Sequence, residues 1–359
     1  MSGKLRIQFI TPGYVPFPTG GLRVMFEYAD FLAARGHAVT VVFPRQLQLS
    51  EPAALGAVKS RLWRIETRLL NRPLIPWHVL HPRVQLLLVP DLREKFIPDA
   101  DVVVATMWST APPVARLSRS KGKKYYLIQH YETWAGPEDQ VNATWLLPLR
   151  KIVISKWLEE VGRQLGAHDM RHIPNGIDLK RFRISNPPEH RTQRMLSLYH
   201  ESPFKGVPDA LAVLKMYHEQ CPQVPISMFG VPPRGSDIPD WITYLRNPAQ
   251  AVLANEFYNR GTIYFSASVT EGWALPPAEA MACGCVFVGT DSGGVRDYAI
   301  HNETALLSPP RDRAAMLGNL LAVSQDRAML QRLQRQGTQS IQQFTWERAG
   351  AALEQYFLE

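Results

Sequence analysis

Cysteine is scarce in this chain of 359 residues, which contains only Cys221, Cys283 and Cys285. An odd number of cysteines cannot all pair within one chain, and no C-x-x-C spacing indicates a metal site or a redox pair. Proteins that rely on disulfides belong mainly to oxidising compartments. The scarcity of cysteine therefore predicts a protein of the reducing cytoplasm.

Long apolar runs are also lacking. No stretch of 18 apolar residues is present, so the sequence predicts no transmembrane helix. The opening MSGKLRIQFI leads directly into an alternating strand pattern, without the apolar segment of a signal peptide. With 45% apolar and 20% charged residues the composition is that of a globular protein, and the length favours two domains.

Several signatures of enzyme chemistry are missing. The sequence has no H-E-x-x-H and no cysteine–histidine array, which argues against a bound metal. The G-x-S-x-G elbow, the Walker A loop and the G-x-G-x-x-G dinucleotide fingerprint are absent as well. We therefore expect no metal and no nicotinamide cofactor.

Basic residues exceed acidic ones and give a net charge of +8. This excess fits either attraction to anions, such as nucleotide phosphates or an anionic lipid leaflet, or a merely basic surface. Residues 59–72, KSRLWRIETRLLNR, place apolar residues at helical spacing among basic ones. That pattern fits either a helix lying on a membrane or an ordinary packed helix. No nucleic-acid-binding motif is present, so we expect no nucleic-acid partner.

Strand patterns alternate with helical patterns along the chain. A strand at Lys4–Thr11 is followed by a helix from Gly20 to the region of Gly36, and then by a strand at Ala38–Phe43. Such alternation indicates parallel sheets covered on both faces. Further strands are predicted at 84–89, 101–106, 124–129, 151–154, 195–199, 225–230, 262–268 and 285–290, and further helices at 206–220, 248–259, 277–283, 312–322, 326–342 and after 344.

Two glutamates stand eight positions apart, in FSASVTEGWALPPAEAMA. Glu271 follows an apolar run that is typical of a buried strand, and Glu279 lies in a helix that begins at a double proline. Open α/β sheets bind ligands in a crevice at the carboxyl ends of their strands. Carboxylates only accept hydrogen bonds, so this pair suits a hydroxyl-rich ligand such as a sugar or a ribose.

The order of motifs resembles that of the retaining glycosyltransferases of family 4 over almost the whole chain. The matching segments are the glycine loop, helix and "rGHeVtv" strand of 11–43, IPNGID at 173–178 with Phe182, Lys205-Gly206, the E-x7-E motif of 271–279, and the "GGv…etglLv" segment at 293–295 and 304–307.

The resemblance implies the GT-B fold, in which two Rossmann-like, doubly wound parallel-sheet domains face a cleft. It implies an acceptor-side domain at 1–180, a nucleotide-sugar-binding domain at 181–343, and a terminal helix at 344–359 that crosses back onto the first domain. Ser185–Glu189, which is polar and rich in proline, reads as a linker. The cleft is the expected binding site.

The resemblance also implies the site residues. Glu271 and His130 would orient the transferred sugar, Lys205 would neutralise the diphosphate, and Glu279 would hold the ribose. The remaining implied donor contacts are Gly20, Gly21, His200, Gly230, Gly272, Trp273, Ala274 and Leu275.

The chain departs from the family pattern at three places. His200 stands where the family often has an arginine that contacts the diphosphate, so a protonated His200 is one candidate for the second cation. Tyr131, followed by Glu132, replaces the aspartate that often follows the family histidine. The usual EGFGLP is EGWALP, with Ala274 in place of a glycine.

These observations predict a metal-independent retaining glycosyltransferase that uses a nucleotide-diphosphate sugar and no cofactor. The acceptor would be a glycan or a lipid-linked glycan of bacterial surface polysaccharide synthesis. We expect a cytoplasmic location, with peripheral inner-membrane contact as an option. A sugar-nucleotide epimerase, a glycan phosphorylase and a non-catalytic sugar-nucleotide sensor remain as alternatives.

Overall fold

The computed structural model describes residues 3–47 and 75–359. The basic segment predicted at 59–72 lies outside the described residues. The strands are β1 Arg6–Ile10, β2 Ala38–Pro44, β3 Gln85–Val89, β4 Val102–Ala105, β5 Lys123–Ile128, β6 Arg150–Val153, β7 Met170–His172, β8 Met195–Leu198, β9 Ile226–Gly230, β10 Ile242–Arg246, β11 Ile263–Ser266, β12 Val286–Thr290 and β13 Ala305–Ser308. The α-helices are α1 Gly20–Ala34, α2 Ala111–Arg116, α3 Glu138–Trp145, α4 Lys156–Gln164, α5 Val207–Gln220, α6 Gln250–Val252, α7 Leu275–Ala282, α8 Arg313–Gln325, α9 Arg327–Ile341 and α10 Trp346–Leu358.

The chain divides into two compact units. Unit 1 comprises Met1–Asn175 together with Trp346–Glu359, and unit 2 comprises Gly176–Thr345. Each unit is built on one parallel sheet, with seven strands in unit 1 and six in unit 2. The predicted class, two Rossmann-like domains with parallel sheets, is confirmed.

Both sheets follow the same route. The order in unit 1 is β3-β2-β1-β4-β5-β6-β7, and the order in unit 2 is β10-β9-β8-β11-β12-β13. In each unit the chain starts in the middle of the sheet, proceeds to one edge, and then returns to the other side of its first strand. The switch points therefore lie between β1 and β4 and between β8 and β11, where such sheets bind ligands.

Helix α1 illustrates how the local sequence sets an element's ends. Thr19 caps its start, because the Thr19 hydroxyl accepts a hydrogen bond from the amide of Leu22 at 3.3 Å. Gly36 follows its end with φ of +97°, and its amide donates to the carbonyl of Ala33. The sequence predicts that this helix ends near Gly36. Glycine suits that position because it adopts the left-handed region without steric cost.

The terminal helix α10 packs on α1 within unit 1. The ring of Trp346 meets the ring of Tyr28 edge-on, with centroids 5.6 Å apart. A Cβ atom added to Gly350 would lie 2.4 Å from the ring of Phe31, so the two helices are in close contact. His37 Nδ1 accepts from a backbone amide, so Nε2 carries the hydrogen and donates to Glu354 at 2.9 Å.

Two sequence predictions concern cysteines and membrane segments. Cys221, Cys283 and Cys285 are buried and free. Within the described ranges, no helix has both the length and the apolar character that crossing a bilayer demands.

Candidate active site

Lys205 and Glu271 meet at the switch point of unit 2. Lys205 lies beyond β8 and Glu271 lies beyond β11, and these two strands are neighbours in the sheet. Lys205 Nζ donates to both carboxylate oxygens of Glu271, at 2.8 and 2.9 Å. The two side chains are only 16% and 9% exposed, so solvent screens this ion pair weakly.

Further hydrogen bonds fix the position of Glu271. The hydroxyl of Ser268 donates to Glu271 Oε1 at 2.8 Å. The backbone amide of Glu271 donates to the carbonyl of Ser292, and the amide of Gly294 donates to the carbonyl of Glu271. The chain's own groups therefore hold both the carboxylate and the backbone of Glu271 in place. Ser268 was not predicted as a partner of Glu271, although it stands only three residues before it in the sequence.

Glu279 is buried in helix α7, whose first turn contains Pro276 and Pro277. The hydroxyl of Tyr258 donates to Glu279 Oε2 at 3.4 Å. Both glutamates of the E-x7-E motif are thus buried in unit 2 and not on a solvated face. Tyr258 was not predicted, because no spacing in the sequence relates it to Glu279.

The turn between the two glutamates is strained. Ala274 has φ of +64°, a conformation that costs an L-residue roughly 1–2 kcal/mol. The hydroxyl of Tyr298 donates to the Ala274 carbonyl at 2.8 Å and helps to hold this geometry. Strained backbone conformations are common at functional sites. The predicted residues Gly272 and Leu275 flank this turn, and Leu275 begins α7.

Trp273 contributes to the turn through its backbone only. Its ring is buried and packs against the rings of Tyr298 and Phe344, with centroid distances of 4.9 and 5.5 Å. The side chain therefore belongs to the core of unit 2, which leaves its amide for the predicted donor contact.

Gly206 sets the direction of the chain after Lys205. Its φ is +60°, and a Cβ atom there would lie 1.9 Å from the carbonyl oxygen of Ala267. Only glycine fits both constraints. Helix α5 begins at the next residue, so Gly206 places Lys205 beside the start of that helix.

His200 lies near the ion pair. Its Nδ1 accepts a hydrogen bond from the amide of Ser202 at 3.0 Å, so Nε2 carries the hydrogen of the neutral ring. Burial lowers the pKa of His200 below its ordinary value, and the charge of Lys205 lowers it further. At pH 7 the ring is therefore neutral, and it can donate a hydrogen bond without adding a second positive charge.

Gly230 ends β9 and is buried. A Cβ atom there would lie 2.5 Å from the carbonyl oxygen of Tyr199, and the Gly230 carbonyl accepts from the amide of Asn247 at 2.6 Å. Packing alone therefore requires glycine here. The predicted contact with a nucleotide base stays a prediction.

Gly20, Gly21 and His130 belong to unit 1, whereas the other predicted site residues belong to unit 2. Gly20 and Gly21 begin α1, and a Cβ atom on Gly21 would lie 3.4 Å from the side chain of Gln129. His130 follows β5 directly after Gln129. These residues therefore gather at the carboxyl edge of the unit 1 sheet.

His130 has a defined tautomer. Its Nδ1 lies 3.0 Å from the carbonyl oxygen of Tyr131, and a carbonyl only accepts, so Nδ1 carries a hydrogen. The ring meets Trp134 and Trp157 edge-on, each with a centroid distance of 6.2 Å. Trp134 is 52% exposed, so an aromatic surface adjoins the histidine.

Glu132 is a buried carboxyl group in the same loop. Its Oε2 accepts a hydrogen bond from the amide of Trp108 at 2.7 Å. Burial raises the pKa of Glu132 to about 8. The sequence reasoning noted Glu132 only as a departure from the family pattern.

In the part of the chain that the structure describes, no three histidine, cysteine, aspartate or glutamate side chains cluster as metal ligands would. The expectation that transfer needs no metal ion stays a prediction. A fixed ammonium group at Lys205 is a cation that the chain itself supplies near the switch point.

The two Rossmann-like units with parallel sheets have the GT-B fold. The family model described as Glycosyltransferase Family 4 matches residues 18–181, and that described as Glycosyl transferases group 1 matches residues 250–340. The chain belongs to glycosyltransferase family 4, and the prediction of the family is confirmed.

Known proteins are similar to this chain at low identity. Sucrose-phosphate synthase from Thermosynechococcus elongatus has a TM-score of 0.75 and 18% identity, covering 99% of this chain and 98% of its own. Anabaena HepE, solved with UDP-glucose, has a TM-score of 0.73 and 13% identity, covering 98% of this chain and 99% of its own. Glycogen synthase from Mycobacterium tuberculosis is 23% identical in an alignment 292 residues long, which covers 72% of this chain and 68% of that protein. The structural likenesses establish the fold.

Proposed function

We propose that this protein is a retaining, metal-independent glycosyltransferase that moves a sugar from a nucleotide-diphosphate sugar to an acceptor hydroxyl. The observation that carries the proposal is the buried pair of Lys205 and Glu271 at the switch point of unit 2. A cation and a hydrogen-bond acceptor stand together where such sheets bind ligands. Those are the two groups that a diphosphate and a sugar require.

The chemistry follows from these two groups. The bond between the sugar C1 and the phosphate oxygen breaks, so negative charge grows on the diphosphate and positive charge on the sugar. Lys205 has three N–H bonds, which lets it donate to the diphosphate while it still contacts Glu271. The acceptor oxygen forms its bond to C1 on the face from which the phosphate leaves, and its proton passes to the leaving phosphate oxygen. The anomeric configuration is therefore retained.

Relatives suggest which substrates to try first. HepE of Anabaena was solved with UDP-glucose, and TarM of S. aureus with UDP and alpha-GlcNAc-glycerol. We propose a UDP-sugar as the first donor to test and a glycan or lipid-linked glycan as the acceptor. We also propose a role in bacterial surface polysaccharide synthesis, in the cytoplasm or at the inner face of the membrane.

Thermal unfolding with UDP, GDP, ADP, dTDP and CDP, with and without EDTA, tests the donor site. A ligand at 100 times its Kd stabilises the folded state by about 2.7 kcal/mol. We expect one nucleotide to raise the Tm equally with and without EDTA. A shift that EDTA abolishes would contradict metal independence, and no shift with any nucleotide would contradict the donor site.

Transfer itself is tested with the sugar of the nucleotide that binds. NMR of the product should show the anomeric configuration of the donor, and inversion would contradict the proposal. Lys205→Ala should lower kcat by about 100-fold or more, the effect of removing one group that stabilises transition-state charge. Lys215→Ala is the matched control, because Lys215 is an exposed lysine of unit 2 and should leave kcat unchanged.

A further inference from the structure

Glu132 lies in the loop that carries His130. The loop of residues 129–137 joins β5 to α3 at the carboxyl edge of the unit 1 sheet. Glu132 is two residues beyond His130, and only 7% of its surface is exposed. A carboxyl group is rarely buried this far without a charged partner, so its surroundings need an explanation.

The buried carboxyl joins two loops. Trp108 lies in the turn after β4, and β4 is the neighbour of β5 in the sheet. The amide of Trp108 donates to Glu132 Oε2 at 2.7 Å. The same loop touches Trp108 a second time at Gly136, where a Cβ atom would lie 2.3 Å from the indole ring. The hydrogen bond and the packing together fix the loop on Trp108.

Burial disfavours a negative charge on Glu132 more than its backbone hydrogen bond favours it. The Trp108 amide from the turn after β4 is its one hydrogen-bond donor among the described residues. Tyr126 from β5 is the titratable side chain that interacts with it, and burial keeps the pKa of Tyr126 well above its ordinary value, so this phenol is neutral. Burial raises the pKa of Glu132, and no cation among the described residues counteracts that effect.

We propose that Glu132 is a positioning residue that holds the His130 loop in place while its carboxyl group is protonated. Ionisation favours a conformation in which the carboxylate reaches water, because a lone charge is costly in an apolar site. To reach water the side chain must leave Trp108, and the loop with His130 moves with it. This inference rests on the proposed function, since it assigns His130 to the reacting sugar.

The pH profile of transfer tests the proposal. With a pKa of about 8 for Glu132, the protonated fraction falls about tenfold between pH 7 and pH 9. We expect the kcat of the wild-type protein to fall about tenfold over that interval. Glu132→Gln copies the protonated carboxyl group and should keep its pH 7 kcat at pH 9. An unchanged alkaline fall in Glu132→Gln would overturn the proposal, and so would its inactivity at pH 7 in a folded protein.

A matched control separates Glu132 from other carboxylates of the region. Asp139 is exposed in the first turn of α3, a few residues further along the chain. Asp139→Asn removes an exposed carboxylate close to Glu132 in sequence and should keep the wild-type alkaline fall of kcat. If Asp139→Asn also abolished that fall, the effect would not belong to Glu132. Binding of the nucleotide, which we assign to unit 2, should stay the same at both pH values in all three proteins.

A measurement without substrate keeps the inference independent of the enzyme assay. Infrared difference spectra between wild type and Glu132→Gln report the carbonyl band of a protonated carboxylic acid. We expect that band at pH 6 and its loss as the pH passes 8. Absence of the band at pH 6 would overturn the inference even if transfer is observed. If no sugar is transferred at any pH but the band titrates, the proposed function fails while the protonation of Glu132 stands.

Discussion

At the scale of single residues, the ion pair of Lys205 and Glu271 links stability to function. Both groups are largely removed from water, and each is the main partner of the other. A buried ion pair adds little stability by itself, but removal of one partner leaves an uncompensated charge. Changes at Glu271 should therefore be seen in the stability of unit 2 as well as in the rate.

We expect Glu271→Ala to lose transfer and also stability. Removing one partner of a buried pair costs about 3–5 kcal/mol, and the partial exposure of Lys205 makes the lower end of that range the better expectation. Glu271→Gln keeps an acceptor for Lys205 and should lose less stability, while its kcat should still fall about 100-fold or more. Denaturant unfolding and initial rates measure the two effects.

The control is a second carboxylate of unit 2 whose ion pair is exposed. Asp291 accepts from Arg296 at 2.7 Å, but these side chains are 37% and 52% exposed. Exposed pairs contribute about 0–1 kcal/mol, so Asp291→Ala should unfold almost like the wild type. If Asp291→Ala cost as much as Glu271→Ala, burial would not be the reason for the loss.

The sequence allowed the prediction of Lys205, Glu271 and Glu279 as site residues because each belongs to a motif of short range. Ser268 and Tyr258 were missed, since their contacts depend on how strands and helices pack. The burial of Glu132 was not predicted either, because its partner Trp108 lies in the turn after a different strand, β4. Residue types and spacing indicate chemistry, but they do not report which groups water reaches.

At the scale of elements, the turn between Lys205 and helix α5 is the most constrained part of the site. Gly206→Ala would place a methyl group 1.9 Å from the Ala267 carbonyl oxygen in a left-handed backbone. The turn must shift, and Lys205 moves with it. We expect a loss of more than about 1 kcal/mol in stability, together with weaker nucleotide binding. Chemical unfolding and thermal shifts with the bound nucleotide measure these changes.

Gly318 provides the opposite control. It lies exposed in helix α8 of the same unit, and no atom lies within 4 Å of an added Cβ. Alanine stabilises a helix interior by about 0.8–1.0 kcal/mol relative to glycine. Gly318→Ala should therefore raise the stability of unit 2 and leave nucleotide binding unchanged. A gain in stability from Gly206→Ala as well would mean that the turn at Gly206 is not strained by a side chain.

The predicted elements agree with the structure where the pattern is long and apolar. Strands β7, β10 and β13 were not predicted, because they are short or lie at sheet edges with polar exposed positions. The helix predicted at 248–259 is broken into α6, a π-helical turn and a 3₁₀ turn. There the carbonyl of Ala254 accepts hydrogen bonds from both the amide of Tyr258 and the side chain of Asn259.

At the scale of the whole molecule, the stability of unit 1 depends on helix α10, which comes from the far end of the sequence. Trp346, Leu353 and Phe357 are buried in that unit, and each such side chain contributes about 1.5–3 kcal/mol on burial. A domain is stable by only about 5–15 kcal/mol. Deletion of residues 346–359 should therefore abolish cooperative unfolding of unit 1.

Scanning calorimetry of the truncated chain tests this expectation. We expect the transition of unit 2 to remain and to rise with the bound nucleotide, because unit 2 is contiguous from Gly176 to Thr345. Leu358→Ala changes a 40% exposed residue of the same helix and should leave both transitions nearly unchanged. Survival of the unit 1 transition after the deletion would show that α10 is dispensable.

The order of the units along the chain has a consequence for biosynthesis. Domains usually fold one after another as the ribosome delivers them, beginning with the amino-terminal one. Here the amino-terminal unit contains Trp346–Glu359, which the ribosome adds after all of unit 2. Unit 2 has all its residues once Thr345 has been delivered. Unit 1 can therefore pack α10 against α1 only after unit 2 has been translated, so the amino-terminal unit completes its fold after its neighbour.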